Sequence, residues 1–214
     1  MKKILVTGAK GFVGRNLCAA LQNVADGKDR SRGLDSDIEI MPFDIDTDPA
    51  LLDKYCKDAD FVFNLAGVNR PVDVKEFYEG NTDFSKNLLD TLAAKGNKAP
   101  IVVSSSIQAL LDNDYGKSKK MGEDLFLENG NNPAFIARLY GVFGKWSRPN
   151  YNTVVATFMY NVAHGLPLQI NDPDKELTLC YIDDVIAKFT SLKDKVMSIV
   201  QSIKNAWNST KEKV

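Results

Sequence analysis

Histidine is nearly absent from this 214-residue chain, with His164 the single example, and only three cysteines occur, Cys18, Cys56 and Cys180. None of them stands at metal-ligand spacing from another, which argues against a zinc site and leaves no metal among the expected cofactors. The odd, scattered thiols exclude a disulfide scaffold and fit a reducing, cytoplasmic setting. Neither sign of charge is in surplus: 27 Lys+Arg face 28 Asp+Glu, a net charge of -1. No nucleic acid and no membrane surface is therefore expected as a partner. Long apolar runs are missing, so no segment is expected to span a bilayer. The first apolar run follows Met1-Lys2-Lys3 directly, and no signal peptide is expected. Internal repeats and low-complexity segments are also absent.

What is present is an ordinary globular balance, 44% hydrophobic and 26% charged residues, over a length suited to one domain. Apolar runs alternate with helical patterns, as a parallel sheet with crossover helices requires. Strands are expected at Ile4–Val6, Ile38–Phe43, Phe61–Ala66, Ile101–Ser104, Ala134–Leu139 and Leu177–Tyr181. Helices are expected at Phe12–Asn23, after Asp48-Pro49, at Phe77–Lys95, Tyr115–Glu128 and Thr153–His164. Asp183-Asp184 is expected to cap a last amphipathic stretch, one helix or two, whose apolar positions include Phe189, Leu192, Val196, Ile199, Ile203 and Trp207.

Two motifs carry chemistry. Gly8-Ala-Lys-Gly11-Phe-Val-Gly14 follows the first strand and opens the first helix. Gly8 allows a tight turn, Gly11 a close approach to phosphate, and Gly14 close packing of helix on strand. The amides from Lys10 through Phe12 and Val13 can then hold a pyrophosphate at the helix N-terminus. Asp44 closes the second strand, where a carboxylate suits a ribose diol; Arg30 and Arg32 could instead meet a 2′-phosphate. The choice between NAD(H) and NADP(H) stays open on these residues.

The second motif is Tyr115-Gly-Lys-Ser-Lys119. Residues four apart share a helix face, so the ammonium of Lys119 is expected to lower the phenol's pKa and ready it for proton transfer. Ser104, Ser105 and Ser106 end a strand at the sheet's carboxyl edge, where ligands bind. Ser106, Tyr115 and Lys119 are the expected catalytic set, and Ser105 an expected substrate contact. His164 before Gly165 reads as a helix-end cap.

These features resemble the extended short-chain dehydrogenases/reductases, the family of sugar-nucleotide epimerases, dehydratases and reductases. The resemblance rests on the glycine motif, Asn64-Leu-Ala-Gly67, Asn81 ahead of Asn87-Leu-Leu89, the serine triplet and Tyr-x-x-x-Lys. It implies a Rossmann-like, doubly wound parallel α/β sheet, in a single domain with an abbreviated C-terminal substrate-binding part. Residues 1–190 would form the NAD(P)-binding domain, with short substrate-binding insertions around 141–180, and 191–214 an amphipathic helical tail. It also implies that Leu65, Ala66, Gly67, Asn81 and Ser104 line the cofactor together with Tyr115, Lys119, Asp44 and Ile45.

Ala66-Gly-Val-Asn-Arg-Pro71, Ser104-Ser-Ser-Ile-Gln-Ala109, Phe143-Gly-Lys-Trp146 and Arg148-Pro-Asn-Tyr-Asn152 are similar to a subgroup of capsule-synthesis reductases. That likeness covers residues 1 to about 185. It implies NADPH-dependent reduction of a 4-keto group on a UDP-linked acetamido-deoxyhexulose. Asn69, Arg70, Ser105, Ser106, Lys145, Arg148, Asn150 and Asn152 become candidate UDP-sugar contacts. Gly141 departs from the family's usual asparagine, and Ile45 from the basic residue expected of an NADPH site. In that subgroup the chain continues into a cupin domain, which is not expected within these 214 residues. An epimerase that retains its cofactor, or a non-catalytic nucleotide-binding module, stays open. A 4,6-dehydratase does not fit, since Ile107 and Gln108 cannot titrate. A homodimer through the tail helix is a further expectation.

Overall fold

Strand residues here are apolar on both sides, and a sheet of such strands must be covered by helices on both faces. The computed structural model describes residues 1–192. Val196, Ile199, Ile203 and Trp207 of the expected tail stripe lie outside the described residues. The strands β1 (Lys2–Thr7), β2 (Ile38–Phe43), β3 (Phe61–Asn64), β4 (Ile101–Ser106) and β5 (Ala134–Leu139) form one parallel sheet in the order β2-β1-β3-β4-β5. Pro42 is tolerated because β2 is an edge strand, where a missing N–H costs little.

Alternation sorts the core into two layers. Ile4, Val6, Phe61, Phe63 and Val102 pack against Leu17, Leu21 and Val24 of α1 (Phe12–Ala25) and against Ile182, Val185, Ile186 and Phe189. Those last four lie on helical backbone over residues 182–192, here α7. On the other face Leu5, Val62, Ile101 and Val103 meet Leu52 and Cys56 of α2 (Ala50–Asp58), Leu88 and Leu92 of α4 (Phe84–Ala94) and Phe126 of α5 (Asp114–Glu128). The fold is thus the expected Rossmann-like doubly wound α/β sheet. The chain leaves β1 for β2 on one side and returns to β3 on the other. The carboxyl ends of β1 and β3 therefore bracket a topological switch point, the place where such sheets take ligands.

Some boundaries differ from the expectation. β3 stops at Asn64, and residues 65–74 form a loop. β4 runs on through Ser106, so all three serines are strand residues. The helix expected at Phe77–Lys95 is split into α3 (Lys75–Tyr78), a π turn (Glu79–Asp83) and α4. Within that π turn the Asn81 side chain turns back to Val68 in the 65–74 loop. A second, two-stranded parallel sheet pairs β6 (Gly141–Phe143) with β7 (Leu179–Tyr181), with α6 (Val154–Ala163) between them in sequence. Helical backbone starts at residue 182, so Asp183 and Asp184 sit inside the first turn of α7 and do not cap it. No helix among the described residues is long and apolar enough to cross a membrane.

Candidate active site at the carboxyl rim

The glycine turn is shaped by close backbone approaches. Gly8 has a left-handed φ of 64°, and a Cβ there would lie 2.6 Å from the Ala66 nitrogen. A Cβ on Gly14 would lie 2.0 Å from the Gly8 carbonyl oxygen. No other residue fits either position without moving main chain. The Gly11 N–H donates to Gly8 O at 3.0 Å, closing the turn. α1 then begins without a side-chain cap and without an acidic residue in its first turn. Its first amides, from Phe12 and Val13 onward, keep the positive end of the helix open to an anion. This cradle fits a dinucleotide pyrophosphate.

Lys10 and Asp44 tie that turn to the end of β2. The Lys10 backbone N–H donates to Asp44 Oδ2 at 2.6 Å, and the Lys10 ammonium pairs with Asp46. The other Asp44 oxygen accepts from the Ile45 N–H at 2.8 Å. Ile45 itself is fully exposed beside it. Arg32 is held by Asp29 at 2.7 Å, within its own loop.

Across the switch point lie Tyr115 and Lys119, the candidate acid–base pair. Asn113 caps α5 by accepting the Gly116 N–H at 2.8 Å, which fixes Tyr115 in the first turn. The Phe77 ring packs 5.5 Å from the Tyr115 ring, and the Ser106 hydroxyl, which accepts from the Gln108 N–H at 3.2 Å, pulls the phenol's pKa down. One turn on, the Lys119 ammonium lies 3.5 Å from the Ser104 carbonyl oxygen. A Cβ on Gly67 would fall 2.7 Å from that nitrogen and 2.6 Å from Asn81 Oδ1, so glycine leaves the space both groups use. Asn81 is buried and brackets the loop: Oδ1 accepts from Val68 N–H at 3.0 Å and Nδ2 donates to Val68 O at 2.9 Å. The same Nδ2 donates to Ser118 Oγ at 3.0 Å. Asn81 thus supports the site from the π turn.

Burial governs the charges. It pushes Lys119 down to about 8, against the opposing pull of Glu123. Burial also pushes the Tyr115 phenol up, and Ser106 only partly offsets this. The expected lowering of the phenol by Lys119 is therefore not what the folded chain does: the ammonium lies against Ser104 and Gly67, and desolvation decides. A phenol kept protonated at neutral pH is a proton donor. Burial raises Cys18 to about 11 and Cys56 to about 12, which removes both thiols as nucleophiles.

The remaining candidates separate into groups. Ser105 alternates to the opposite side of β4 from Ser104 and Ser106 and is buried beside Glu123. Lys145 pairs with Asp183 at 2.7 Å, and its carbonyl accepts from Asn16 Nδ2 at 3.1 Å. Asn150, at a left-handed φ of 54°, donates its N–H to Thr157 Oγ1 at 2.8 Å. Asn69 and Asn152 are exposed. Arg70 and Arg148 converge on the Tyr151 ring, 5.6 and 5.9 Å from its centroid. His164 ends α6, its Nδ1 within 2.8 Å of Tyr160 O, as a cap should.

Three contributors escaped the sequence reading. Thr7, buried at the end of β1, donates to Asn64 Oδ1 at 2.6 Å and accepts from Ala66 N–H at 3.3 Å, which fastens the loop after β3 to the glycine turn. Nothing distinguishes it in sequence from any β-branched strand residue. Ser118 lies between Asn81 and the Tyr115 carbonyl, to which it donates at 2.8 Å. Glu123 is only 1% exposed and takes a two-pronged grip from Arg138, 2.9 Å from Nε and 2.6 Å from Nη2. Its signal was legible: Tyr115, Lys119 and Glu123 repeat at four-residue spacing along one stripe.

Residues 4–201 match the NAD dependent epimerase/dehydratase family. The chain is 44% identical over 204 residues to the UDP-2-acetamido-2,6-beta-L-arabino-hexul-4-ose reductase of Pseudomonas aeruginosa, covering 94% of this chain and 52% of that protein. It is 25% identical over 210 residues to a ceramide reductase of Caulobacter vibrioides, covering 92% of this chain and 63% of that one. The solved capsular polysaccharide assembling protein CapF of Staphylococcus aureus matches with a TM-score of 0.75 and 39% identity, over 90% of this chain and 49% of that chain. The chain thus spans about half the length of the Pseudomonas and Staphylococcus relatives. With the glycine cradle and the Tyr–Lys helix on opposite sides of one switch point, and these relatives alongside, the chain belongs to the NAD dependent epimerase/dehydratase family and is related to the CapF-like capsular polysaccharide proteins.

Proposed function

We propose that this chain is an NAD(P)H-dependent reductase of the 4-keto group of a UDP-linked acetamido-deoxyhexulose, serving capsule or surface-polysaccharide precursor synthesis. The observation that carries the reading is that Tyr115 and Lys119 lie one turn apart on α5, with Ser106 close enough to pull on the phenol and the Lys119 ammonium beside Ser104 and Gly67. The 44% identity to a hexulose reductase supports the substrate class.

Gly8, Gly11, Phe12, Val13 and Gly14 would hold the cofactor pyrophosphate, Asp44 the adenosine ribose, and Leu65, Ala66, Gly67, Ser104 and Lys119 the nicotinamide half. When bound, the cofactor supplies a hydride to the substrate's carbonyl carbon. Ser106 donates a hydrogen bond to the carbonyl oxygen and orients it. Tyr115 gives that oxygen its proton, so the ketone gains hydride and proton and becomes a secondary alcohol. The phenolate left behind recovers its proton from solvent. Because burial holds Tyr115 protonated, the resting site is set for reduction.

The test is cofactor oxidation with a UDP-linked 4-keto-6-deoxy sugar. Tyr115→Phe should cut turnover by about 100-fold or more while cofactor binding persists, the size of a lost general acid. A Tyr115→Phe protein with full turnover refutes the mechanism.

A further inference from the structure

Asn129-Gly130 is the single Asn-Gly pair in the sequence, and it falls where α5 ends. The Asn129 N–H still donates to Leu125 O at 3.2 Å, but its own φ of -73° and ψ of 97° have left the helix. Gly130 beyond it is exposed, and a Cβ there would meet nothing within 4 Å. Its N–H has no hydrogen-bond partner among the described residues. The pair borders a cleft of about 340 Å³ that Phe126, Asn131 and Pro133 also line. A backbone nitrogen that is unbonded, unhindered and free to turn thus stands next to a side-chain amide.

The Asn129 amide is held lightly and is polarised. Its Nδ2 donates to Asn132 Oδ1 at 3.3 Å, and its Oδ1 accepts from the Asn131 N–H at 3.2 Å. An N–H on that oxygen stabilises the negative charge that gathers there when the adjoining carbon is attacked. Neighbouring residues lack this combination. Asn132 is buried and precedes Pro133, which has no N–H. Asn131 is followed by a residue with a side chain, and its amide donates to Asn97 O at 3.0 Å. Asp26-Gly27 has the right following residue, but the Gly27 N–H donates to Val24 O at 2.9 Å, and Gln22 and Lys28 grip the carboxylate.

We propose that Asn129 is a site of spontaneous deamidation, a covalent modification acting at the far end of the helix that carries Tyr115 and Lys119. The Gly130 nitrogen gives up its proton to base and bonds to Asn129 Cγ, closing a succinimide ring. The Cγ–Nδ2 bond breaks, and the side-chain nitrogen leaves as ammonia with a proton from solvent. Water opens the ring at either carbonyl to give aspartate or isoaspartate, with nothing oxidised or reduced. Either product places a carboxylate at the negative end of α5, beside Glu128. It also removes the donor that met Asn132, whose own Nδ2 holds Asn97 O and Ala99 O at 3.0 and 2.9 Å. The join between the end of α5 and the start of β5 is thereby weakened. The modification is independent of the reductase reading.

The experiment incubates the whole folded chain in mildly alkaline buffer and follows every asparagine-containing peptide by mass spectrometry against an unincubated sample. The Asn129 peptide should gain about 1 Da, amide becoming acid, before any other asparagine does. Conversion should quicken as pH rises, since the Gly130 nitrogen must lose its proton. Gly130→Ala, whose added methyl meets open space, should slow it by about tenfold or more. Asn129→Asp, the product built by substitution, should lower the unfolding temperature by about 2–4 °C. An Asn129 peptide that stays intact, or that converts equally fast in Gly130→Ala, overturns the proposal. An Asn129→Asp protein as stable as its parent overturns the effect on α5.

Discussion

Lys119 is held in its charged form at a cost, and removing that charge should make the ligand-free protein more stable. Burial lowers its pKa from 10.5 to about 8. At about 1.4 kcal/mol per unit, this is roughly 3 kcal/mol of charge burial at pH 7. The Ser104 carbonyl and water reaching the rim reduce the net, so Lys119→Met should stabilise the chain by on the order of 1–3 kcal/mol. Methionine keeps the stem's length and apolar packing. The sign follows from linkage. Below about 8 both folded and unfolded chains hold the proton and the full penalty applies. Between 8 and 10.5 the folded chain gives up the proton first, so the unaltered protein gains stability with rising pH and the advantage of Lys119→Met shrinks toward zero. Urea unfolding at a series of pH values from 7 to 10.5, without nucleotide, measures this. A variant less stable than its parent at pH 7, or a difference that ignores pH, refutes the reasoning. The same variant should lose turnover, since the ammonium proposed to hold the nicotinamide half is gone.

Gly14→Ala should destabilise by about 2–4 kcal/mol and weaken cofactor binding, because the new Cβ meets Gly8 main chain that cannot yield, whereas an added methyl at an open helix site would help. Gly130→Ala, with nothing near its Cβ, is the control and should stay within about 0.5 kcal/mol in thermal unfolding. Glu123→Gln should cost about 2–3 kcal/mol in denaturant unfolding, less than a wholly buried pair because Arg138 keeps some access to water. Burial alone would raise the Glu123 pKa, but Arg138 and then Ser105 hold it below the usual carboxylate value of 4.5. Its stabilisation is therefore present above that value and lost as pH falls through the lower folded one, so Glu123→Gln should flatten the acid limb of the stability curve. An unchanged acid limb would count against this role.

The sheet was legible because its central strands are apolar on both sides and turn residues such as Gly8 follow them. Gly8 could be assigned its turn from position alone, and the φ of 64° follows from it. The π turn at Glu79–Asp83 was not legible. Asn81 within it makes a tertiary bond, reaching a loop thirteen residues away, and the helical periodicity around it is undisturbed. The phenol's pKa was misjudged for a related reason. Spacing reports that Tyr115 and Lys119 share a face, but not that burial pushes the phenol up and the ammonium down, with no pull of either on the other. Ser105 shows the limit of reading by adjacency, since one step along a strand turns a side chain from the ligand rim into the layer beneath α5.

The site is assembled from parts that are each costly alone, and they restrain one another. Lys119 is a buried cation, Gly8 a left-handed turn, Asn81 a polar group at the core, and Glu123 a carboxylate with 1% exposure. Gly67 gives Lys119 and Asn81 common space, Asn81 fixes the loop that carries Gly67, and Thr7 fastens that loop's start to the strand feeding Gly8. Glu123 opposes the desolvation of Lys119 from the next turn, while Arg138 keeps Glu123 charged. Coupling of this kind is non-additive. Asn81→Ala combined with Lys119→Met should therefore cost less than the sum of the two effects on cofactor affinity, since Asn81 and Lys119 share the space beside Gly67 and each change alters what the other meets. A double variant whose loss equals that sum in cofactor titrations would show that the cofactor side and the acid–base side are held independently, and that the switch point only brings them near each other.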